Sequence, residues 1–213
     1  GVRAALDKLR AEHPDVTVTE AFNFVDPVIE NFDGSMILLL EGAVLAVLVV
    51  WLFLRDWRAT LVAATALPLS IIPAFAVMHY VFGFTLNVIT LLSLSLVVGI
   101  LVDDAIVEIE NIMRHLRMPA AEPPQGGHSP SGGMGAPVLK TPYQAAMEAA
   151  DEIGLAVIAT TFTLIAVFLP TAFMSGVAGK FFVQFGWTAA IAVFFSLVVA
   201  RLLTPMMAAY LLK

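Results

Sequence analysis

Five long apolar stretches, separated by shorter polar segments, dominate the chain after residue 34. A bilayer core of about 30 Å is crossed by about 20 helical residues, and each stretch is close to or above that length. We place the predicted spans at 36–54, 60–82, 86–109, 153–173 and 187–210. Because lipid offers no hydrogen-bond partner to an open backbone, each span is predicted to be a helix. Kinks are expected at the prolines inside these spans, Pro68, Pro73, Pro170 and Pro205. The pattern predicts an all-α polytopic membrane protein.

The first 34 residues have a different pattern. Apolar and charged residues alternate at helical spacing from Val2 to Ala11, Pro14 ends that pattern, and residues 16–19 are β-branched like a short strand. We interpret this segment as a short α/β stub of an aqueous domain. Since the chain begins at Gly1 with neither an initiator methionine nor a signal sequence, we expect it to be an excerpt of a longer protein.

A second polar segment separates the third and fourth spans. Residues 118–139 contain five prolines and five glycines, a composition typical of a flexible loop without its own core. We predict a linker here, and a docking role is the alternative.

The basic residues of the short connections predict the orientation of the chain. Arg55 and Arg58 follow the first span, and Arg114 and Arg117 follow the third, whereas Lys180 is the basic residue of the short loops on the opposite side. By the positive-inside rule the first set is cytoplasmic. Residues 1–34 are therefore predicted to face the periplasm or exterior, and residue 213 the cytoplasm.

Composition narrows the class of protein further. Hydrophobic residues make up 60% of the chain and charged residues 13%, against about 45–50% and about 25% in soluble domains. The net charge of −6 and the lack of a basic cluster argue against a nucleic-acid partner. With no cysteine and four scattered histidines, the sequence has no metal-ligand spacing, and we predict no metal site.

Ionisable side chains inside the predicted spans are candidates for function, because a charge at the centre of a membrane helix costs about 2.5–3.5 kcal/mol on insertion scales. They are Glu41, Asp103, Asp104 and Arg201. Arg201 lies near the predicted cytoplasmic half of the last span, where its long stem can reach the interface, so we interpret it first as interfacial and second as an accessory to function. For Glu41, near the start of the first span, both interpretations stay open.

The adjacent pair Asp103-Asp104 is the strongest candidate for chemistry. It follows the apolar run 86–102, so these short side chains cannot easily reach either surface. Neighbours on a helix point about 100° apart, and both carboxylates can face one wedge of a bundle. Double ionisation is unfavourable there, and an approaching cation would change the proton occupancy of the pair. The pattern favours a proton relay over a structural acid pair. Glu108 and Glu110 are expected to be solvated near the cytoplasmic end.

Small residues precede the pair on the same helix. Ser95 and Gly99 lie four positions apart, and Gly99 lies four before Asp103. This spacing forms a stripe along which another helix can approach closely.

Residues 99–111, which contain the aspartate pair, resemble the fourth transmembrane helix of resistance-nodulation-division (RND) efflux pumps, in the branch that exports drugs and other amphiphiles. Residues 51–60 resemble the turn between the family's second and third helices, and the Leu-Thr-Pro triplet at 203–205 resembles part of its sixth. Glu41 falls where these pumps carry a glutamate in helix two. The resemblance covers nearly the whole chain and implies a five-helix portion of an RND transmembrane bundle, helices two to six.

The resemblance also implies how the chain is divided. Residues 1–34 would end a periplasmic porter region, 35–117 would form helices two to four, 118–142 a flexible cytoplasmic loop, and 143–213 helices five and six. The family otherwise has a shorter loop where residues 118–139 stand, so contacts of that loop do not carry over.

The mechanism and partners that the resemblance implies are those of a drug/proton antiporter. Asp103 and Asp104 would form the proton relay, paired with a lysine on a helix in the second half of the same pump. The pump would be a secondary active transporter and not an enzyme, driven by the proton-motive force without a cofactor. It would be a multi-pass homotrimer in the lipid of the bacterial inner membrane, working with a periplasmic adaptor and an outer-membrane channel on small amphiphilic substrates.

Three other classes were weighed against this interpretation. An RND-fold exporter of heavy metals or lipids is disfavoured because heavy-metal exporters usually differ at the second acid, Asp104 here. A sterol-sensing receptor that shares the fold without pumping stays open. An intramembrane aspartyl protease is disfavoured because such enzymes carry their two aspartates on different helices, one in a Gly-x-Gly-Asp motif that this sequence lacks.

Overall fold

The computed structural model describes residues 2–12, 23, 25–119 and 139–212. They form helices connected by short turns: α1 (Val2–Glu12), α2 (Val25–Leu54), α3 (Trp57–Tyr80), α4 (Val88–Leu116), α5 (Pro142–Phe168), α6 (Gly176–Val198) and α7 (Thr204–Leu211). A 3-10 turn, Leu169–Phe173, extends α5, and a π-helical turn, Val199–Leu203, joins α6 to α7 in one rod. Among the described residues there is no strand, only an isolated bridge between Pro119 and Leu139.

Side-chain caps fix where three of these helices begin. The Asp56 carboxylate accepts hydrogen bonds from the backbone N–H groups of Arg58 and Ala59, so α3 begins with only two residues between it and α2. Asn87 and Thr141 form capping boxes at the starts of α4 and α5. The tight α2–α3 turn requires a left-handed backbone at Arg55, with φ of 50°.

Proline interrupts two helices and leaves a third intact. Pro170 lies in the 3-10 turn that ends α5, and Pro205 begins α7 directly after the π-turn. In contrast, α3 continues through Pro68 and Pro73 without a break in its helical assignment. The expected irregularities are therefore present as turns at two of the four prolines.

The prediction of five membrane-crossing helices is confirmed. Within the described residues, five helical segments are long and apolar enough to cross a membrane, and they are Val25–Leu54, Trp57–Tyr80, Val88–Leu116, Pro142–Phe173 and Gly176–Leu211. These helices are longer than the apolar stretches of the sequence because they also include polar residues at their ends, outside the hydrocarbon core of the membrane. As a result α2 continues through residue 34, which the sequence analysis took as a boundary, and the division into regions stays a prediction.

The polar segments are described only in part. The helix predicted over the first residues is confirmed by α1, whereas the strand predicted at 16–19 lies outside the described residues. Most of the predicted loop, 120–138, lies outside them as well.

Helix α4 lies at the centre of the bundle. It packs against α2, α3, α5, α6 and α7, and 56% of its most apolar window is buried, against 6% for α2. Large side chains such as Leu91, Leu94, Leu101 and Ile109 on α4 are almost completely buried. Polar side chains on α4 therefore lie in the interior of the bundle or on the one part of its surface that these neighbours leave open.

Candidate functional site

Asp103 and Asp104 lie in the middle of α4 but in opposite environments. Asp104 is 7% exposed and points into the bundle, whereas Asp103 is exposed. The sequence analysis placed both carboxylates in one wedge. The structure separates them because the 100° between successive helical residues takes Asp103 out of the contact with α6.

A serine on α6 holds the buried aspartate. The Ser196 hydroxyl lies 2.9 Å from Oδ2 of Asp104 and 3.1 Å from the carbonyl oxygen of Leu101. A hydroxyl has one hydrogen to donate, so it donates to one of these two acceptors at a time. The Ser196 hydroxyl can therefore donate either to Asp104 or to the Leu101 carbonyl, and both acceptors lie within hydrogen-bond distance.

The face of α4 that carries Asp103 is open. A side-chain carbon built on Gly99 would meet nothing within 4 Å, and Val107, one turn beyond Asp103, is 40% exposed. The predicted small-residue stripe is present in the structure, and no described residue covers it at Gly99.

Glu108 is the site residue that the sequence analysis missed. It was expected to be solvated, and that expectation is wrong: Glu108 is 0% exposed, and neither carboxylate oxygen has a hydrogen-bond partner among the described residues. It lies four residues after Asp104, so both acids are on the buried face of α4. This spacing of four residues was the feature of the sequence that could have indicated the burial of Glu108. Glu110, by contrast, is exposed as expected.

Arg201 points into the bundle. Its Nη1 donates a hydrogen bond of 2.5 Å to the carbonyl oxygen of Ala150 on α5, and its guanidinium occupies the space beside Gly154, where a side-chain carbon would come within 2.5 Å of Nη2. The same guanidinium is the cation that acts electrostatically on Glu108. The first interpretation of Arg201, a side chain that reaches the interface, is therefore replaced by an inward one.

Glu41 does not join this cluster. It is exposed on α2 and makes no hydrogen bond or ion pair with the residues that the structure describes.

A polar clasp joins α4 to α5 at the end of the bundle predicted to be cytoplasmic. Arg114 Nη2 lies 2.6 Å from both carboxylate oxygens of Glu152, and His115 Nε2 lies 2.6 Å from Oε2 of the same residue. The other ring nitrogen of His115 lies 3.4 Å from Glu148, which also pairs with Lys140. These contacts hold together the two helices that residues 117–141 connect in the chain.

Comparison with known proteins gives a consistent result. A profile of the AcrB/AcrD/AcrF family matches residues 1–213. A protein named multidrug resistance protein MdtC from Pectobacterium atrosepticum is 37% identical over 216 residues, and one of the same name from Salmonella schwarzengrund is 39% identical over 217. Each alignment covers 100% of this chain and 19% of the relative, so the chain spans about a fifth of their length.

Proposed function

Because the chain belongs to the AcrB/AcrD/AcrF family of RND multidrug efflux transporters, we propose that it carries the proton relay of a drug/proton antiporter, formed by Asp103 and Asp104. The relatives' names, multidrug resistance proteins, favour a drug exporter over the heavy-metal, lipid and sterol-sensing alternatives. The substrates are small amphiphilic molecules, as the resemblance implies.

The observation that carries this proposal is the position of the pair. An aspartate buried in the centre of the bundle, with the Ser196 hydroxyl as its donor, lies directly beside an aspartate on an open face of the same helix. A buried carboxylate binds a proton readily because its charge is poorly solvated. The exposed neighbour is accessible to a cation supplied by another part of the pump.

The relay works by changing the charge of the pair. With both carboxylates ionised, the pair attracts the lysine that the resemblance implies on the second half of the pump, and that half docks on the open face of α4. A proton arriving from the periplasm binds a carboxylate oxygen, lowers the charge and weakens the attraction. Release of that proton towards the cytoplasm restores the attraction and completes the cycle.

The energy for this cycle comes from the proton-motive force. A membrane potential of 100 mV supplies about 2.3 kcal/mol per proton, and one unit of pH difference adds about 1.4 kcal/mol. The rearrangement of the bundle is transmitted to the porter domains, where substrate leaves the membrane or periplasm. The pump is a homotrimer of the bacterial inner membrane and acts with a periplasmic adaptor and an outer-membrane channel.

Export by a full-length pump that contains this chain tests the relay. We expect Asp103→Asn and Asp104→Asn each to abolish drug export in cells that lack other pumps, at equal expression and with the trimer intact. Asp151→Asn, which removes an exposed acid in the first half of α5, is the matched control and should export like the wild type. Undiminished export by both aspartate variants would exclude the pair as the relay.

A further inference from the structure

The α6–α7 rod contacts the buried face of α4 at two successive levels. At the first, Ser196 donates to Asp104. At the second, about 6 Å further along α4 at Glu108, the π-turn that carries Arg201 packs against α4. The relay proposed above uses the first level only.

The π-turn brings Arg201 to this second level. Five residues of an α-helix rotate a side chain by about 500°, which would leave Arg201 roughly 140° away from the direction of Ser196. The segment Val199–Leu203 instead forms i→i+5 hydrogen bonds, with the N–H of Thr204 bonded to the carbonyl of Val199. This wider turn brings residue 201 back towards the face that carries Ser196, and π-turns of this kind occur frequently at functional sites.

Glu108 has few other groups to stabilise its charge. It is completely buried, and its two oxygens lack hydrogen-bond donors among the described residues. On its own helix the nearest acid on the same face is Asp104. Among the described titratable groups on the helices packed against α4, Arg201 is the one that acts on it. A buried carboxylate in this position is costly when ionised unless the guanidinium is close.

Arg201 hydrogen-bonds to α5, and the turn that carries it packs against α4. It now donates to the Ala150 carbonyl of α5, and a guanidinium has five N–H donors, so it can also reach towards α4. Gly154 leaves room for the guanidinium beside α5.

The part of α4 around and after Glu108 borders a cleft. A cleft of about 630 Å³ opens at the end of α4 predicted to be cytoplasmic, and its lining includes Leu54 from α2, Val107 and Asn111 from α4, and Ile153 from α5. Asn111 follows Glu108 by three residues and hydrogen-bonds to the Ala149 carbonyl. Glu108 does not line this cleft, but it lies on α4 between Asp104 and Asn111, and Asn111 does line it.

We infer that Glu108 is a second proton-carrying residue of the pump, with Arg201 as its counter-ion, positioned between Asp104 and the cytoplasmic cleft. When Glu108 holds a proton it is neutral, and Arg201 remains on the Ala150 carbonyl. When the proton leaves its carboxyl group for water in the cleft, the carboxylate draws the guanidinium towards α4. The direction of proton movement rests on the proposed function, whereas the pairing and the titration of Glu108 do not.

The test uses the full-length pump reconstituted in proteoliposomes, with Glu108→Gln, Arg201→Gln and the double variant. Infrared difference spectra on acidification should lose a carboxylic-acid signal in Glu108→Gln, distinct from the signal lost in Asp104→Asn. Drug export by the double variant should fall by about tenfold or more and lose part of its pH dependence, although its trimer and unfolding midpoint remain close to the wild type. Glu108→Asp should recover part of the export, and Asp151→Asn should leave both readouts unchanged.

A structural ion pair would give a different result. Replacing both members of a buried pair by neutral groups removes the uncompensated charge that each single variant leaves behind. Wild-type export and pH dependence in the double variant, or an unchanged infrared signal in Glu108→Gln, would overturn the proton-carrying role. If a single variant fails to fold, the double variant and Glu108→Asp still decide the question.

The two proposals fail separately. Active Asp103→Asn and Asp104→Asn pumps would remove the relay, while the infrared signal of Glu108 would still report its titration. Inactive aspartate variants together with a fully active double variant would leave the relay in place and remove only the role of Glu108.

Discussion

The two faces of α4 differ in how their acids are surrounded. On the buried face, Asp104 accepts a hydrogen bond from Ser196, and Glu108 is completely buried beneath the turn that carries Arg201. On the open face, Asp103 lies between Gly99 and Val107, where the neighbouring helices leave space. The chemistry of the first face is determined within this chain, whereas that of the second depends on what packs against it in a whole pump.

The largest expected effect comes from placing a leucine on each face of α4, at Ala105 on the buried face and at Gly99 on the open face. Ala105 is 1% exposed on the buried side, and Ala105→Leu should destabilise the pump by about 1–3 kcal/mol or more, because a packed core cannot accommodate the extra volume. Gly99→Leu should leave insertion intact but reduce export, since it obstructs the stripe along which a helix approaches. Thermal unfolding and export of both variants give the comparison. Equal destabilisation by both would mean that the open face is as tightly packed as the buried one.

The hydrogen bond across the buried face should have the next largest effect. Ser196→Ala removes the donor to Asp104, and side-chain hydrogen bonds between membrane helices contribute about 0.6–1.7 kcal/mol. We expect export to slow by a few-fold to about twentyfold. Ser95→Ala is the control, because among the described residues Ser95 bonds only to the Leu91 carbonyl of its own helix. Similar export rates for the two variants would contradict a specific role for Ser196.

Filling the space beside Arg201 with a methyl group should have a smaller effect. In Gly154→Ala the new carbon would lie within 2.5 Å of Nη2 and should displace the guanidinium from Ala150. The lost hydrogen bond costs about 1.5–3 kcal/mol, and the higher helix propensity of alanine offsets about 1 kcal/mol of that. Gly42→Ala, on an open part of α2, should be neutral or slightly stabilising. The unfolding midpoints of the two variants should therefore shift in opposite directions.

Breaking the clasp between α4 and α5 should have the smallest effect. Glu152→Gln removes ion pairs to Arg114 and His115, but these groups are close to solvent, where salt and side-chain entropy reduce their contribution. We expect a small decrease in unfolding midpoint, most of it lost at high salt because Arg114 and Glu152 are about half exposed, measured against Asp151→Asn. A decrease as large as that of Ser196→Ala, or one that persists in high salt, would show that the clasp is more than a solvated contact.

The helices and their chemistry could be predicted in outline because the signals are local. Apolar length fixed five crossings, and the caps that start α3 and α5 are residues with a strong preference for that position. The identity of Asp103 and Asp104 as intramembrane acids also followed from the sequence, since apolar residues precede them over a full span.

The surroundings of these acids could not be predicted in the same way. Which aspartate is buried depends on the rotation of α4 against α6, and no local pattern states that rotation. Glu108 was misjudged because its distance from the end of the apolar run was taken as a measure of solvation, although α4 continues to Leu116 with α5 packed beside it.

The inward position of Arg201 has a cause that was visible but not recognised. Pro205 lacks the N–H group that would bond to the carbonyl of residue 201 in an α-helix, and the preceding turn widens to a π-turn. Pro205 was expected to kink the helix, whereas its consequence is that the charged side chain of Arg201 points into the bundle.

Helix α2 also has a mechanical consequence. Its 30 residues extend about 45 Å without a break, which exceeds the hydrocarbon core by about 15 Å. The excess lies at the end that carries Asp26, Glu30 and Asp33, predicted to be periplasmic. A rod of this length has no hinge at the membrane surface. In the relay proposed above, a tilt of α2 would swing its protruding end as a lever arm, so that a proton bound in the membrane displaces protein outside it.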